Sequence, residues 1–367
     1  MNLISSAYKI RLMKRIDSIA GVPFTRLLSA PTSRSDVQLR SILIIRPGGI
    51  GDALLLAPLI RALRVKYSDA SISILAESRN AGAFSLIPSF NRLLTYDNCG
   101  NFIQLLLSRY DLIIDTEQWH RLSAVIARLV PSSMKIGFGT NERRSLFTHQ
   151  VPYFHDEYEG QSFLNLLQPL GIYESFDYSS PFLVIPSPAT SEINSLLEPL
   201  KAPYISIFPG ASVTERRWGV NKYKELVRLL DRYGISCVII GGKEDQPSGE
   251  AIVSGTFGLN LAGQTSIAGT AAIIHKSGLL VSGDSGILHM GVGLGIPTVS
   301  LFGAGILKKW APKGENHVVI SRNLSCSPCT IFGTTPDCQN RVRCLEEISV
   351  ECVYEAVVSL FVKRGKK

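Results

Sequence analysis

Between residues 41 and 150 the chain alternates short apolar runs with longer segments whose apolar residues recur at helical spacing. The runs are SILIIR from 41, SISILAE from 71, RLLTY from 92, DLIID from 111 and KIGF from 135. They lack the in-out alternation of a half-exposed strand, which predicts strands covered on both faces, as in a parallel sheet built from βαβ units. The segment LLLAPLIRALRVKY at 54–67 reads as one covering helix. Residues 179–203 hold Pro181, Pro186, Pro188, Pro199 and Pro203 and read as a linker. The rhythm then restarts with YISIFPG from 204, SCVIIGG from 236, LNLAG from 259, LLVSG from 279, TVSLFG from 298 and HVVI from 317. The pattern predicts an N-terminal extension at 1–40, a first α/β domain at 41–180, a linker at 181–203, a second α/β domain at 204–345 and a C-terminal helix at 346–367. Two doubly wound domains facing each other would direct the carboxyl ends of both sheets into a central cleft, where open α/β sheets bind ligands.

Composition narrows the class. With 367 residues, 45% of them hydrophobic and 19% charged, the chain can bury two cores, which excludes disorder and fibres. No apolar run reaches the roughly 18 to 20 residues of a membrane span, and the N-terminus lacks the apolar core and cleavage site of a signal peptide, so the chain reads as cytoplasmic. Of the net charge of +8, residues 1–40 supply five, with Lys9, Arg11, Lys14, Arg15, Arg26, Arg34 and Arg40 against Asp17 and Asp36. A basic excess fits nucleic acid, a membrane surface or an anionic substrate. Nucleic acid is set aside, because no aromatic interleaving or recognisable module accompanies the bases. Leu3, Ile4, Ala7, Ile10, Ile16, Ile19, Ala20 and Leu27 lie among them, before and around the interruption at Gly21 and Pro23. That pattern fits an amphipathic helix on the inner leaflet of a membrane and equally a helix packed on the protein's own body.

Three segments carry candidate chemistry, each at a strand end that opens a helix. In Arg46-Pro47-Gly48-Gly49-Ile50-Gly51-Asp52 the glycines permit a tight turn and a helix N-terminus supplies unpaired N–H groups. Its spacing matches neither the dinucleotide fingerprint nor a Walker loop. Asp52 suits a general base and also a carboxylate complementing the helix dipole. The second segment, at 209–218, offers Ser212 and the adjacent Arg216 and Arg217 before Trp218, and arginine pairs bidentately with phosphate. The third, at 282–295, places Asp284, Ser285 and Gly286 at a helix start with His289 one turn inside; it fits a phosphate seat, or an N-cap with a core histidine. Glu244 and Asp245 follow the strand ending in Gly241-Gly242, where a nucleotide ribose is gripped. Of seven cysteines, Cys326, Cys329, Cys338 and Cys344 have a C-x2-C-x8-C-x5-C spacing that suits a tetrahedral thiolate site for structural zinc or iron. Packed reduced thiols and a redox disulfide are the alternatives.

The combination SILIIRPGGIGDALLLAPLIRAL, YDLIIDTEQWHRLSAVIARL with KIGF, FPGAS followed by ERRW, and VSGDSGILHMGVGLGIPTVSLFG resembles glycosyltransferase family 9, the heptosyltransferases of the lipopolysaccharide inner core. The resemblance runs from about residue 41 to the C-terminus. It implies an α/β GT-B fold of two Rossmann-like domains, with the acceptor on the first and ADP-L-glycero-D-manno-heptose on the second. Transfer would be inverting and independent of metal or other cofactor. Asp52 would deprotonate the acceptor hydroxyl, and Ser212 and Arg216 would meet the donor diphosphate. Asp284, Ser285, Gly286 and His289 would complete the donor site, with Glu244 toward the nucleoside. Arg216 stands where many members carry Lys, and Ser285 where others carry Thr. The cysteines would pin the loop before the last helix. A lipid-linked anionic glycan would be the acceptor; another nucleotide sugar with a different surface glycan, or a catalytically silent scaffold, are the competing readings.

Overall fold

A computed structural model describes residues 17–32, 38–200, 203–331 and 334–365. The chain divides into two compact units, one ending at Phe176 and the other beginning at Asp177. In the first, β1 (Ser41–Arg46), β2 (Ser71–Ala76), β3 (Arg92–Thr95), β4 (Tyr110–Asp115), β5 (Ser132–Phe138) and β6 (His149–Val151) form one sheet in the order β3-β2-β1-β4-β5-β6. All of its neighbours are parallel. Ile42, Leu43, Ile44 and Ile45 of the central β1 are fully buried, as strands covered on both faces must be. Each apolar run of the sequence seeds one of these strands. The sequence gives no sign of β6, a three-residue edge strand whose pattern HQV buries only Val151.

In the second unit β7 (Tyr204–Phe208), β8 (Ser236–Ile239), β9 (Leu259–Asn260), β10 (Leu279–Gly283), β11 (Thr298–Phe302) and β12 (His317–Ser321) form a sheet ordered β12-β11-β10-β7-β8-β9. Read from its other edge, this is the same permutation as the first sheet, the doubly wound Rossmann order. In each unit the chain lays down three strands in one direction and then returns past its first strand. The reversal falls between β1 and β4 in one sheet and between β7 and β10 in the other. Outside the carboxyl ends of those strands the crossovers diverge, and there such folds bind ligands.

Two local features depart from the sequence reading. The helix expected over 54–67 is two helices, Ile50–Leu54 and Ala57–Lys66. Pro58 lies in the first turn of the second, where its missing N–H costs nothing, and it cannot continue the helix before it. The proline-rich segment read as a linker makes its own packing contacts. Phe182 and Leu183 donate their N–H groups to the Gly293 carbonyl at 2.8 and 2.9 Å, and the helix Ser187–Leu197 carries Glu192, which accepts from Ser266. Both contacts tie it to the second unit.

The described part of the N-terminal extension comprises a π-helical turn, Asp17–Gly21, and the helix Val22–Leu27. Residues 1–16, with most of the expected amphipathic stretch, lie outside the described residues. Asp17 is buried and accepts from the N–H groups of Arg121 and Leu122 at 2.7 and 2.8 Å, capping the helix Arg121–Leu129 from across the chain. Thr25 is buried beside it, while Ile19, Phe24 and Leu27 are exposed. One face of the segment therefore packs on the protein's own body, and the opposite face carries apolar side chains to solvent. Among the described residues no helix is long and apolar enough to cross a membrane.

The core of the first unit gathers Leu43, Ile45, Leu75, Ile113 and Phe147. That of the second joins Ile205, Val281 and Val299 of the sheet to Val353 and Val357 of the final helix, Val350–Gly365. Trp218 sits in this core at 2% exposure, stacked edge-on to Tyr223, and its indole N–H donates to the Ile348 carbonyl at 3.0 Å. It thus anchors the C-terminal helix to the sheet. Replacing Trp218 by Ala is expected to destabilise the protein by about 3 to 5 kcal/mol, read by urea unfolding. A loss within about 1 kcal/mol would show that the anchor lies elsewhere.

Candidate active site

In the first unit the reversal point is built around Arg46, the last residue of β1. Its side chain is 98% buried, and a guanidinium cannot leave water without partners. Nη1 donates to the Thr116 carbonyl at 2.9 Å, Nη2 lies 3.3 Å from both Asp52 and Glu117, and the charge stands over the Phe163 ring. Burial opposes its charge, but Asp52, Glu117, Glu159 and Asp115 outweigh that and raise its pKa above the ordinary arginine value. Gly48 makes the arrangement possible. Its φ of +105° is one that L side chains avoid, and a Cβ there would come within 2.9 Å of the Arg46 guanidinium. Asp52 stands in the first turn of the helix Ile50–Leu54, with its side chain one-fifth exposed, so it reaches the edge of the site while the other members lie beneath.

The floor of this site comes from the end of β4 and beyond. Asp115 pairs with the fully buried Arg143 at 2.6 Å, and Arg143 also donates to the Glu117 carbonyl, holding the strand end in place. Glu117 accepts the N–H groups of Trp119 and His120 at 3.0 and 3.2 Å. Burial works against its ionisation, yet Arg46, His120 and Arg143 together hold its pKa below the usual carboxylate range. Glu159 accepts from Gln118 and, at 3.0 Å, from the Tyr153 hydroxyl. Burial first, then Glu159, Asp52 and Glu117, raise the Tyr153 pKa and keep the phenol protonated.

In the second unit the reversal point joins the loop after β7 to the turn after β10. Arg216 Nη1 lies 3.2 Å from Asp284 Oδ2, close enough to pair but without the alignment of a hydrogen bond. Its Nε and Nη2 donate instead to Thr335 and Thr330 at 3.2 and 3.3 Å. Asp284 is buried, which raises its pKa against the pull of Arg216. Gly305 is required beside it, since a Cβ there would overlap Asp284 Oδ2. Ser285 caps the helix Gly286–Gly293, its Oγ accepting from Leu288 N–H at 3.4 Å and meeting Ser282 Oγ at 2.9 Å. Ser285 and Gly286 are half-buried, so the first turn presents N–H groups at an accessible helix N-terminus, a seat for an anion.

The structure places the remaining sequence candidates as follows. Ser212 is exposed on the same loop as Arg216, and the neighbouring Arg217 folds back onto the Ala211 carbonyl. His289 is buried against Trp310, with ring centroids 5.8 Å apart, one turn below the helix mouth. Glu244 is exposed, and it is its neighbour Asp245 that turns inward, accepting the Gly242 N–H at 3.0 Å. The four clustered cysteines are free thiols. Burial, then the mutual influence of Cys326, Cys329 and Cys338, raises the pKa of Cys344, so the cluster shares one neighbourhood. Among the described residues, however, no three His, Cys, Asp or Glu side chains form a group that could hold a metal. Cys326 and Cys338 are exposed whereas Cys344 is buried, and the expected tetrahedral site is not assembled.

What that loop does instead is clasp the end of β11. Cys329 and Thr330 both donate backbone N–H groups to the Ala304 carbonyl, at 3.1 and 3.0 Å, and this delivers Thr330 and Thr335 to Arg216. The sequence reading missed these threonines, and in the first unit it missed Glu117, Glu159 and Tyr153. Arg46 it saw only as part of a motif. The usable signal was the carboxyl end of β4, where the run DLIIDTE carries two acids onto a reversal point.

Two Rossmann-ordered sheets in one chain are the architecture of the GT-B fold, and the match to a family of glycosyltransferases places the chain among the enzymes of that fold. Residues 100–337 match the model of glycosyltransferase family 9 (heptosyltransferase), and the chain belongs to that family. It is 28% identical over 293 residues to lipopolysaccharide heptosyltransferase 3 of Escherichia coli (strain K12), covering 73% of this chain and 84% of that protein. The solved structure of E. coli ADP-heptose lps heptosyltransferase II superposes with a TM-score of 0.70 at 22% identity, over 89% of this chain and 99% of that one. E. coli heptosyltransferase WaaC with ADP-2-deoxy-2-fluoro heptose gives 0.67 at 16% identity, over 87% and 99%.

Burial pushes the His289 imidazole down to about 4. A histidine depressed in the folded state stabilises it fully above its unfolded value of about 6.5, and that stability is lost as pH falls toward the folded value. His289 should therefore contribute about 2 kcal/mol to the stability lost between pH 7 and pH 5. Urea unfolding of His289→Gln should show a correspondingly shallower decline. An unchanged slope would mean that His289 charges freely in the folded protein.

Proposed function

We propose that the protein transfers heptose from ADP-L-glycero-D-manno-heptose to a hydroxyl of a lipopolysaccharide core-type acceptor, with inversion at the anomeric carbon. The observation that carries the reading is Asp52, held by a buried arginine at the reversal point of the first sheet in a chain of the heptosyltransferase family. The names of the relatives, lipopolysaccharide heptosyltransferase 3 and ADP-heptose lps heptosyltransferase II, support the donor and acceptor classes.

In this mechanism Asp52 takes the proton of the acceptor hydroxyl as its oxygen forms a bond to the anomeric carbon. The bond from that carbon to the diphosphate breaks on the opposite face, and ADP leaves with the electron pair. Positive charge develops on the sugar and negative charge on the departing diphosphate. Arg216 and the N–H groups at the start of the helix Gly286–Gly293 are suited to the second of these. Ser212 lies within reach on the same loop, and Asp284 and Thr330 fix the guanidinium. No step is assigned to a metal, and the cysteine loop serves as the clasp that positions Arg216.

The test is calorimetric titration with ADP, UDP and GDP in a chelating buffer, combined with transfer assays. ADP should bind selectively. Asp52→Asn should lower turnover by about 10²- to 10⁴-fold with ADP affinity nearly intact, because only proton removal in the transition state is lost. Arg216→Met should weaken ADP binding by about tenfold or more. Preference for UDP or GDP, or full turnover by the Asp52 variant, would overturn the assignment.

The reading extends to place. We infer a cytoplasmic enzyme whose N-terminal segment meets the anionic inner leaflet, where a lipid-linked acceptor resides. Supporting this, the acid Asp17 is turned inward, whereas Ile19, Phe24 and Leu27 are exposed in a segment of net charge +5. The triple variant Ile19→Ser, Phe24→Ser, Leu27→Ser should lose salt-sensitive binding to vesicles containing phosphatidylglycerol. Retained binding would move the membrane contact elsewhere.

A further inference from the structure

The first site holds more negative charge than a single base requires. Two guanidinium groups, Arg46 and Arg143, stand among four carboxylates, Asp52, Glu117, Asp115 and Glu159. Arg143 is committed to Asp115 and the Glu117 backbone, both fully buried. Arg46 reaches Asp52 through Nη2, and the same nitrogen stands at the same 3.3 Å from Glu117. A carboxylate that owned the arginine outright would be held far down its pKa range and would be a poor proton acceptor. A carboxylate with no cation, placed beside three others, would have its pKa raised, and a larger fraction of it would be protonated and unable to accept a proton.

We propose that Arg46 is the positioning residue of Asp52 and that Glu117 sets its strength by sharing the guanidinium, so that Asp52 stays ionised but remains basic. This rests on the reading of Asp52 as the base. The other groups facing the pair are Asp115 on β4 with its partner Arg143, Glu159 on the helix Glu159–Asn165, the Tyr153 hydroxyl after β6, His120 beyond Glu117, and Glu77 after β2, which accepts the Gly48 N–H at 3.0 Å and pairs with Arg79. Arg143 is engaged by Asp115 and Arg79 by Glu77, which among these groups leaves Arg46 as the cation placed against Asp52. The field they create pushes Asp52 toward protonation, and Arg46 opposes it. Gly48, which lacks the Cβ that would crowd the guanidinium, leaves room for Arg46 at this spot, and Phe163 lies beneath the charge.

The proposal separates from a purely structural role by sign. Removing the cation should move the acid limb of the kcat profile up, and removing the competing carboxylate should move it down. The experiment measures kcat and KM against pH for the full-length enzyme, with ADP-heptose and a lipopolysaccharide-core acceptor, in the wild type, Arg46→Met, Arg46→Lys and Glu117→Gln. Arg46→Met is expected to raise the limb by about one pH unit and to lower kcat at neutral pH by roughly a hundredfold. Arg46→Lys should recover part of both, and Glu117→Gln should lower the limb by a comparable step. The donor KM should change little throughout. Should Arg46→Met fail to fold, Glu117→Gln and Arg46→Lys still carry the comparison. Limbs that stay in place while rates and thermal stability fall would overturn the positioning role. Asp52→Asn, run alongside, keeps the two readings apart: transfer surviving in that variant defeats the assignment of the base, whereas its loss with unmoved limbs in the others defeats only the role of Arg46 and Glu117.

Discussion

A guanidinium buried at the end of a parallel strand must be neutralised where it lies, and the first unit is organised around meeting that demand. Arg46 brings Asp52, Glu117 and the Thr116 carbonyl to one point, and the positive-φ turn at Gly48 leaves the space beside it that a Cβ would fill. Moving Arg46 outward would leave a surplus of buried carboxylates, each then driven to protonate. The charge balance and the backbone path are thus one constraint. The same logic explains Arg143, whose removal would leave Asp115 a lone buried acid.

The second unit repeats the topology and the device with a different emphasis. Arg216 meets Asp284 at the corresponding reversal point, but its hydrogen bonds go to two threonines of the cysteine-bearing loop. Threonine hydroxyls orient an arginine without consuming its charge, which suits the diphosphate-binding role proposed for Arg216. On the proposed reading the carboxylates around Arg46 serve the opposite need, because there the acting group is Asp52 beside the arginine. One strand order, used twice, therefore presents a partly exposed carboxylate beside a buried arginine in one copy and an arginine beside a helix N-terminus in the other.

Much of this was legible along the chain, and where it was not the reason is specific. Asp52, Arg216, Asp284, Ser285 and Gly286 each lie within a few residues of a strand end and a glycine turn, a local pattern that a single segment reveals. Of the neighbouring acids Glu244 and Asp245, the first is exposed and the second buried, and periodicity cannot tell which of two neighbours turns inward. The cysteine spacing promised a ligand set. Spacing constrains only the loop lengths, and the backbone pairing of that loop with Ala304 leaves two thiols outside and one beneath.

The sequence by itself determined the parallel sheets, the family and the segments that open at strand ends, because apolar periodicity and glycine turns act over a few residues. Only the tertiary structure decided which segments meet. Glu117 is 71 residues from Arg46, and Thr330 is 114 from Arg216. Their meeting depends on β1 pairing with β4 and β7 with β10, an order set by how the crossovers pack. Charge sharing at Asp52 arises at that level alone, since the strength of a buried carboxylate is fixed by neighbours that the chain brings from far away.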